Sequence, residues 1–237
     1  MEALSQRLLA IRDRWHVKNH PFFDEWSAGR LTMRQMGGYM LQHYLHVGEV
    51  FRAFGVAYAK ADEDAAKFIV HNLAEEHGLL GMADRSAADH FEIIRRFVRA
   101  AGYADADMVP DNRYLWNWAR VHSFWDVASR YPWQVFLAMM ACLEGQEVGL
   151  NGRLVPAMFE HYGYKPGDPD IHFFEEHYVA DVEHGSRSLD LVDRFATDPV
   201  MQAQCLQLAD VGCRYKWEYM NEIHQKLVID ARQPVAG

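Results

Sequence analysis

Apolar residues recur at three- and four-residue steps along almost the whole chain, and no segment sustains the period-two alternation of a half-buried strand. That periodicity confines the chain to helices. It predicts eight of them, near 3–16, 32–60, 64–79, 85–102, 112–129, 132–163, 170–196 and 199–228. Breakers fall between them: HPFF at 20–23, MVPDN at 108–112, Tyr131-Pro132, YKPGDPD at 164–170 and Asp198-Pro199. Thr32 is placed to cap the helix that LTMRQM opens, and Asp170 to cap the helix over 170–196. Long helices with short connections predict an all-α antiparallel bundle, whose interior is a usual place for metal and cofactor sites. Residues 1–230 read as a single domain and 231–237 as a frayed tail.

Composition narrows the function. Half of the 237 residues are hydrophobic, enough for a full core. The net charge is −9 with no basic cluster, which disfavours nucleic acid as a partner. No run is long and apolar enough to cross a bilayer, and MEALSQRLLAIRDRW reads as an amphipathic helix rather than a signal peptide. Cys142, Cys205 and Cys213 form no CxxC pair, so no disulfide framework is expected and a cytoplasmic setting is. The unusual count is 13 histidines, a residue type that serves both as metal ligand and as acid or base near neutral pH.

Their placement matters more than their number. In HYVADVEHG, residues 177 to 185, steps of four and three residues put His177, Asp181 and His184 on one helix face. Ile171, Phe174, Tyr178, Val182, Leu189 and Val192 form an ordinary core stripe beside them, so the motif alone reads as a solvated flank. The flank, however, begins at Phe173 and continues through Ser188 to Leu191, which implies burial over more than half of the helix. Buried histidines and an aspartate need partners. A metal would be one.

Other helices offer more donors. Glu144 follows the apolar run VFLAMMACL, with Glu147 one turn later. NLAEEHG ends a helix with Glu75, Glu76 and His77 ahead of Gly78, and His90 stands in DHFEIIRRF. Carboxylates and imidazoles spread over four helices make a hard-to-borderline donor set, suited to iron or manganese pairs rather than thiolate-loving metals. The set is similar in logic, without matching, to the Glu and Glu-x-x-His arrangement of ferritin-like bundles.

Several segments resemble the heme-oxygenase-like fold, in the branch shared by pyrroloquinoline-quinone synthase, the thiaminase-like TenA proteins and the heme-oxygenase-like diiron oxidases. They are HPFFDEWSAGRLTMRQM with QHYLHVGEVFRAF, NLAEEHG with HFEIIRRFVRAAG, and CLEGQEVGLNGRLVPAMFEHYGY with HFFEEHYVADVEHG, together nearly the whole chain. The resemblance implies a bundle of about seven to eight helices and a homodimer. It also implies a ligand set, with Glu76 chosen as the glutamate two residues before a glycine and His90 as the histidine that opens the next helix. Glu144 is chosen over Glu147, and His177, Asp181 and His184 complete the six. The Glu76–His90 gap is longer than the family pattern, which keeps Glu75 and His77 as alternatives.

Four functions follow. The ligand set implies an O2-activating non-heme diiron oxidase or oxygenase: two Fe(II) ions per chain, with Mn as substitute or partner, acting through a peroxo species. Its substrate would be small, amino-acid-derived or carboxylate-bearing, and a reductase or other electron donor would serve it. A metal-free oxidase of the quinone-synthase type would use Tyr44, His46 and His184. A thiaminase-like hydrolase needs a cysteine beside a carboxylate, and Cys142 and Glu144 do not share a helix face. The fourth is a non-catalytic helical binding module. The p-aminobenzoate branch carries a lysine soon after its second glutamate, whereas the first lysine after Glu144 here is Lys165. Trp116, Trp118, Phe124 and Trp125 are candidate pocket walls, and Arg153 or Arg120 a candidate anchor for a substrate carboxylate.

Overall fold

A computed structural model describes residues 2–80 and 89–232, with the helical backbone alone between 179 and 186. The eight expected stretches become ten α-helices among the described residues: α1 Leu4–Arg14, α2 Pro21–Ser27, α3 Met33–Tyr58, α4 Glu63–Glu76, α5 His90–Ala100, α6 Leu115–Arg130, α7 Trp133–Glu144, α8 Glu147–His161, α9 His172–Phe195 and α10 Pro199–His224. No strand occurs among them. A single π-turn, Gln225–Ile229, continues α10.

Local chemistry sets most of the helix ends. Thr32 and Gln35 form a reciprocal capping box at the start of α3. Asp62 and Asp89 accept hydrogen bonds from the backbone N–H groups of Ala65 and Glu92, which makes Glu63 and His90 the first helical residues of α4 and α5. Helix α4 stops at Glu76 because Gly78 takes a left-handed φ of 66°, and the Leu79 N–H then closes on the Ala74 carbonyl at 2.8 Å.

Two expectations need correcting. The stretch 132–163 is two helices, parted at Gly145 and Gln146. The fully buried Gln146 amide donates to the Cys142 carbonyl at 3.3 Å and accepts from the Val17 N–H at 3.1 Å, so its side chain takes over backbone partners where the helix breaks. Asp170 does not cap α9. A 3-10 turn, Pro169–Ile171, precedes that helix, and Asp168 caps the turn instead. Of the tail, Arg232 pairs with Glu25 at 3.1 Å, and 233–237 lie outside the described residues.

Helix α10 runs through the middle of the bundle, packing on α7, α6 and α1; α9 lies against α7 and α8, and α3 against α6, α5 and α4. Helices α3 and α5 come very close where Gly37 meets Ala101: a Cβ at Gly37 would stand 2.1 Å from that of Ala101. The core is two apolar clusters. One gathers α2, the first part of α3, α5, α8 and the start of α9 around Trp26, Phe97 and Phe174. The other gathers α1, the end of α3, α4, α7 and the start of α10 around Phe54, Phe136 and Cys213. Polar groups concentrate at the seam.

Candidate active site

The seam holds a cavity of about 90 Å³, walled by Val47, Val50, Phe51, Phe124, Met140, Leu143 and Phe173. Into it come Glu76 from the last turn of α4, His90 from the first turn of α5, Glu144 from the end of α7 and His177 from α9. Helix ends supply three of these four, so the caps and the glycine stop described above also position the donors.

Among the alternatives, geometry separates the neighbours. Glu75 pairs with His71 at 3.2 Å, and His77 is exposed and packs its ring on Phe51. Neither lines the cavity; Glu76 does. Glu147 lines it as well as Glu144, but it is held by the Lys216 ammonium at 2.6 Å. The side chains of Asp181 and His184 lie outside the described residues, although α9 carries both positions. Burial along α9 reverses part of the expected stripe. Phe173, His177, Ser188 and Leu191 are all buried, while Tyr178 is 50% exposed. The donor line is a core face because α9 is sandwiched between α7 and α8.

The rings are close. His90 and His177 lie 4.7 Å apart, edge to face, and the Nδ1 of His90 meets the Glu76 carboxylate directly. His177 directs Nδ1 at the Phe173 carbonyl, 2.7 Å away. With the proton on that nitrogen, the Nε2 lone pair is left for a ligand. His46 repeats this toward the Gln42 carbonyl at 3.1 Å. His43 stands 4.9 Å from His46 and 5.3 Å from Phe173.

Electrostatics follow from this crowding. Burial, together with the Glu76 and Glu147 carboxylates, pushes the Glu144 carboxyl up to about 8. Burial and the adjacent His90 hold His177 down at about 4. Burial alone would lower His90, but the Glu76 carboxylate prevails and raises it. His43 and His46 lie well below the ordinary histidine range, chiefly through burial. Glu144 and His43 keep some accessible surface yet behave as deeply buried groups, since what they expose faces the cavity.

The donor set fits a hard-to-borderline cation. Glu144 has carboxylates as its nearest charges apart from Lys216, which Glu147 already engages. A cation between Glu76, His90, Glu144 and His177 would relieve that repulsion and give the imidazole lone pairs a partner. Among the described residues no three donors already stand at metal-binding spacing, and Glu76 and His90 touch each other where a metal would part them.

Sequence reasoning overlooked two polar cavity residues, His43 and Lys216. His43 was readable, since it shares a face with His46 three residues on. Tyr44, taken with His46 as a proton-handling candidate, points elsewhere and receives a hydrogen bond from Arg95 at 3.0 Å. Lys216 gave no local signal. Val50 is one of the wall residues that read as plain helix core. Of the aromatic set only Phe124 lines the cavity; Trp125 donates to Glu49 and Trp118 lies under Arg113. Arg153 is engaged by the Lys18 carbonyl and by Asp24, whereas Arg120 reaches the cavity.

The sequence profile of the iron-containing redox enzymes matches residues 38–217, a span that includes all of these donors. The chain belongs to that family. It is an oxidoreductase with the heme-oxygenase-like fold. A 4-aminobenzoate synthase from Nitrosomonas europaea is 26% identical over 237 residues, covering 93% of this chain and 90% of that one. A TenA homologue from Pseudomonas syringae pv. tomato superposes with a TM-score of 0.79 at 13% identity, over 94% of this chain and 93% of its own. A domain with a heme oxygenase-like fold from Shewanella denitrificans gives 0.77 at 13%, over 98% and 95%.

Proposed function

We propose that this family member is an O2-activating non-heme diiron oxidase or oxygenase acting on a small amino-acid-derived or carboxylate-bearing substrate. One observation carries the reading: two carboxylates and two imidazoles from four helices converge on one cavity, with Glu144 pushed up to about 8 by burial and by its carboxylate neighbours. Glu76, His90, Glu144 and His177 would hold iron, with Asp181 and His184 of α9 completing the set. The bound metal pair supplies the reduction of O2, chemistry that no protein side chain provides. The chain's own residues do the rest. The Phe173 carbonyl orients His177, and the Asp89 cap orients His90. Val47, Phe124 and Leu143 exclude bulk water from the reacting centre. His43 and His46, neutral through burial, are proton acceptors on the cavity wall. The name of the Nitrosomonas relative supports an amino-acid-derived substrate. The family resemblance adds a homodimer and an external electron donor, which light scattering and reductant dependence test.

Anaerobic loading with Fe(II), metal analysis, and O2 uptake on re-oxygenation test the proposal. About two irons per chain are expected, with O2 consumption that Glu144→Ala abolishes. Protein that takes up no iron, or iron uptake indifferent to Glu144→Ala, overturns the reading.

A further inference from the structure

Among the cavity's charged side chains, Arg120 forms no ion pair with any described residue. It is only 6% exposed, lies on α6 and reaches the cavity wall. Its guanidinium is stacked 4.7 Å from the Tyr219 ring centre and 5.6 Å from that of Phe124, and its Nε has no hydrogen-bond partner. No ion pair engages it among the described residues. Lys216, the other cation at the cavity, is fully used: its ammonium donates to the Leu143 carbonyl at 3.0 Å and to Glu147 at 2.6 Å. Glu147, the carboxylate that bears on Arg120, is already paired with Lys216, so Arg120 is left without an ion pair of its own. An arginine cannot shed its proton to escape burial, and an unpaired buried cation is strongly unfavourable. Such a group is retained where a ligand completes it.

The cavity indicates which ligand. A carboxylate matches the planar fork of a guanidinium in a bidentate pair, and the walls beyond it are aliphatic and aromatic. The charges bearing on Glu144 are Glu76, Glu147 and Lys216, and Arg120 is not among them; Arg120 bears on His43, His46 and Glu147. We infer that Arg120 anchors the carboxylate of a small substrate with an apolar body, holding that carboxylate away from Glu76 and Glu144 so that the body faces them. This rests on the oxidase reading only in calling the ligand a substrate. A carboxylate held in this way does not need iron to bind.

Isothermal titration of the full chain, metal-free and Fe(II)-loaded, with benzoate and hexanoate against benzamide and hexanamide tests it. Wild-type protein should bind at least one acid tenfold or more tighter than its amide, equally with and without iron. Arg120→Gln should erase that preference by weakening acid binding far more than amide binding, and Arg120→Lys should retain a reduced preference because it keeps the charge and loses the fork. Melting curves show whether each variant folds; should Arg120→Gln not fold, the wild-type and Arg120→Lys arms decide. The inference is overturned if wild-type protein prefers neither acid, if the preference appears only with iron, or if a folded Arg120→Gln keeps it. The outcomes are separable from those of the oxidase reading. Absent iron uptake with an intact acid preference sinks the diiron centre and leaves the anchor standing; normal iron uptake with no acid preference does the reverse.

Discussion

Single side chains in this protein are set by what burial does to charge. Glu144 is buried and faces other carboxylates, so a neutral isostere should suit the metal-free fold better and the metal-loaded one worse. Glu144→Gln is therefore expected to melt higher than wild type without metal and to bind markedly less iron, read by calorimetry and metal analysis side by side. An unchanged melting point would mean that the carboxylates do not repel one another as their placement implies. Outside the cavity, His16 is an acid-sensitive residue. Burial, aided by Lys216, lowers it from 6.5 to about 4, and its Nδ1 accepts from the Lys18 N–H at 3.2 Å. As pH falls below 6.5 the unfolded chain takes up this proton and the folded chain does not. Stability is thus lost between pH 6.5 and 4, on the order of 3 kcal/mol by the lower end. His16→Asn keeps a capping acceptor without the titration and should flatten that part of the urea-stability profile; an unaltered acid slope would contradict it.

At the scale of elements, the break between α7 and α8 sets where two glutamates point. An uninterrupted helix would have carried Glu144 and Glu147 as ordinary neighbours one turn apart. The actual break leaves Glu144 as the last residue of α7 and Glu147 as the first of α8, and both line the cavity. Gln146 holds this junction and ties it to the turn after α1. Gln146→Ala would leave the Val17 N–H and the Cys142 carbonyl buried without that partner, a loss of about 2 kcal/mol, measurable by urea denaturation. A loss within error of zero would show that the junction is set by Gly145 alone.

For the whole molecule, the site's position at the seam of two apolar clusters links ligand binding to global stability. Glu76 and Glu144 stand with the second cluster's helices α4 and α7, whereas His90 and His177 stand on α5 and the start of α9, which build the first. A cation shared among them would bind the folded state and not the unfolded one. Anaerobic Fe(II) should therefore raise the melting temperature in a concentration-dependent way. The rise should be reversed by chelation and much smaller in Glu144→Gln. A rise of equal size in the variant would place the stabilising iron elsewhere.

Helix content, the Thr32 cap and the helix end ahead of Gly78 were legible in the chain, because periodicity and capping act within one or two turns; Glu76, His90, Glu144 and His177 were singled out as a set only through the family resemblance. The same locality explains the errors. Gly145 beside Glu144 is a weak local signal of the break, and the bonds by which Gln146 holds it, to residues 17 and 142, do not show in the sequence. Nor does anything near Lys216 reveal that it meets Glu147, 69 positions earlier. The exposure of Tyr178 and the burial of the flank opposite were decided by which helices α9 packs between. The placement of the Arg120 charge on the cavity wall exists only once α3, α6, α7 and α10 are assembled. Short-range steric and hydrogen-bond rules write the helices into the sequence, whereas the charge balance of the cavity comes from side chains brought together across the bundle by packing.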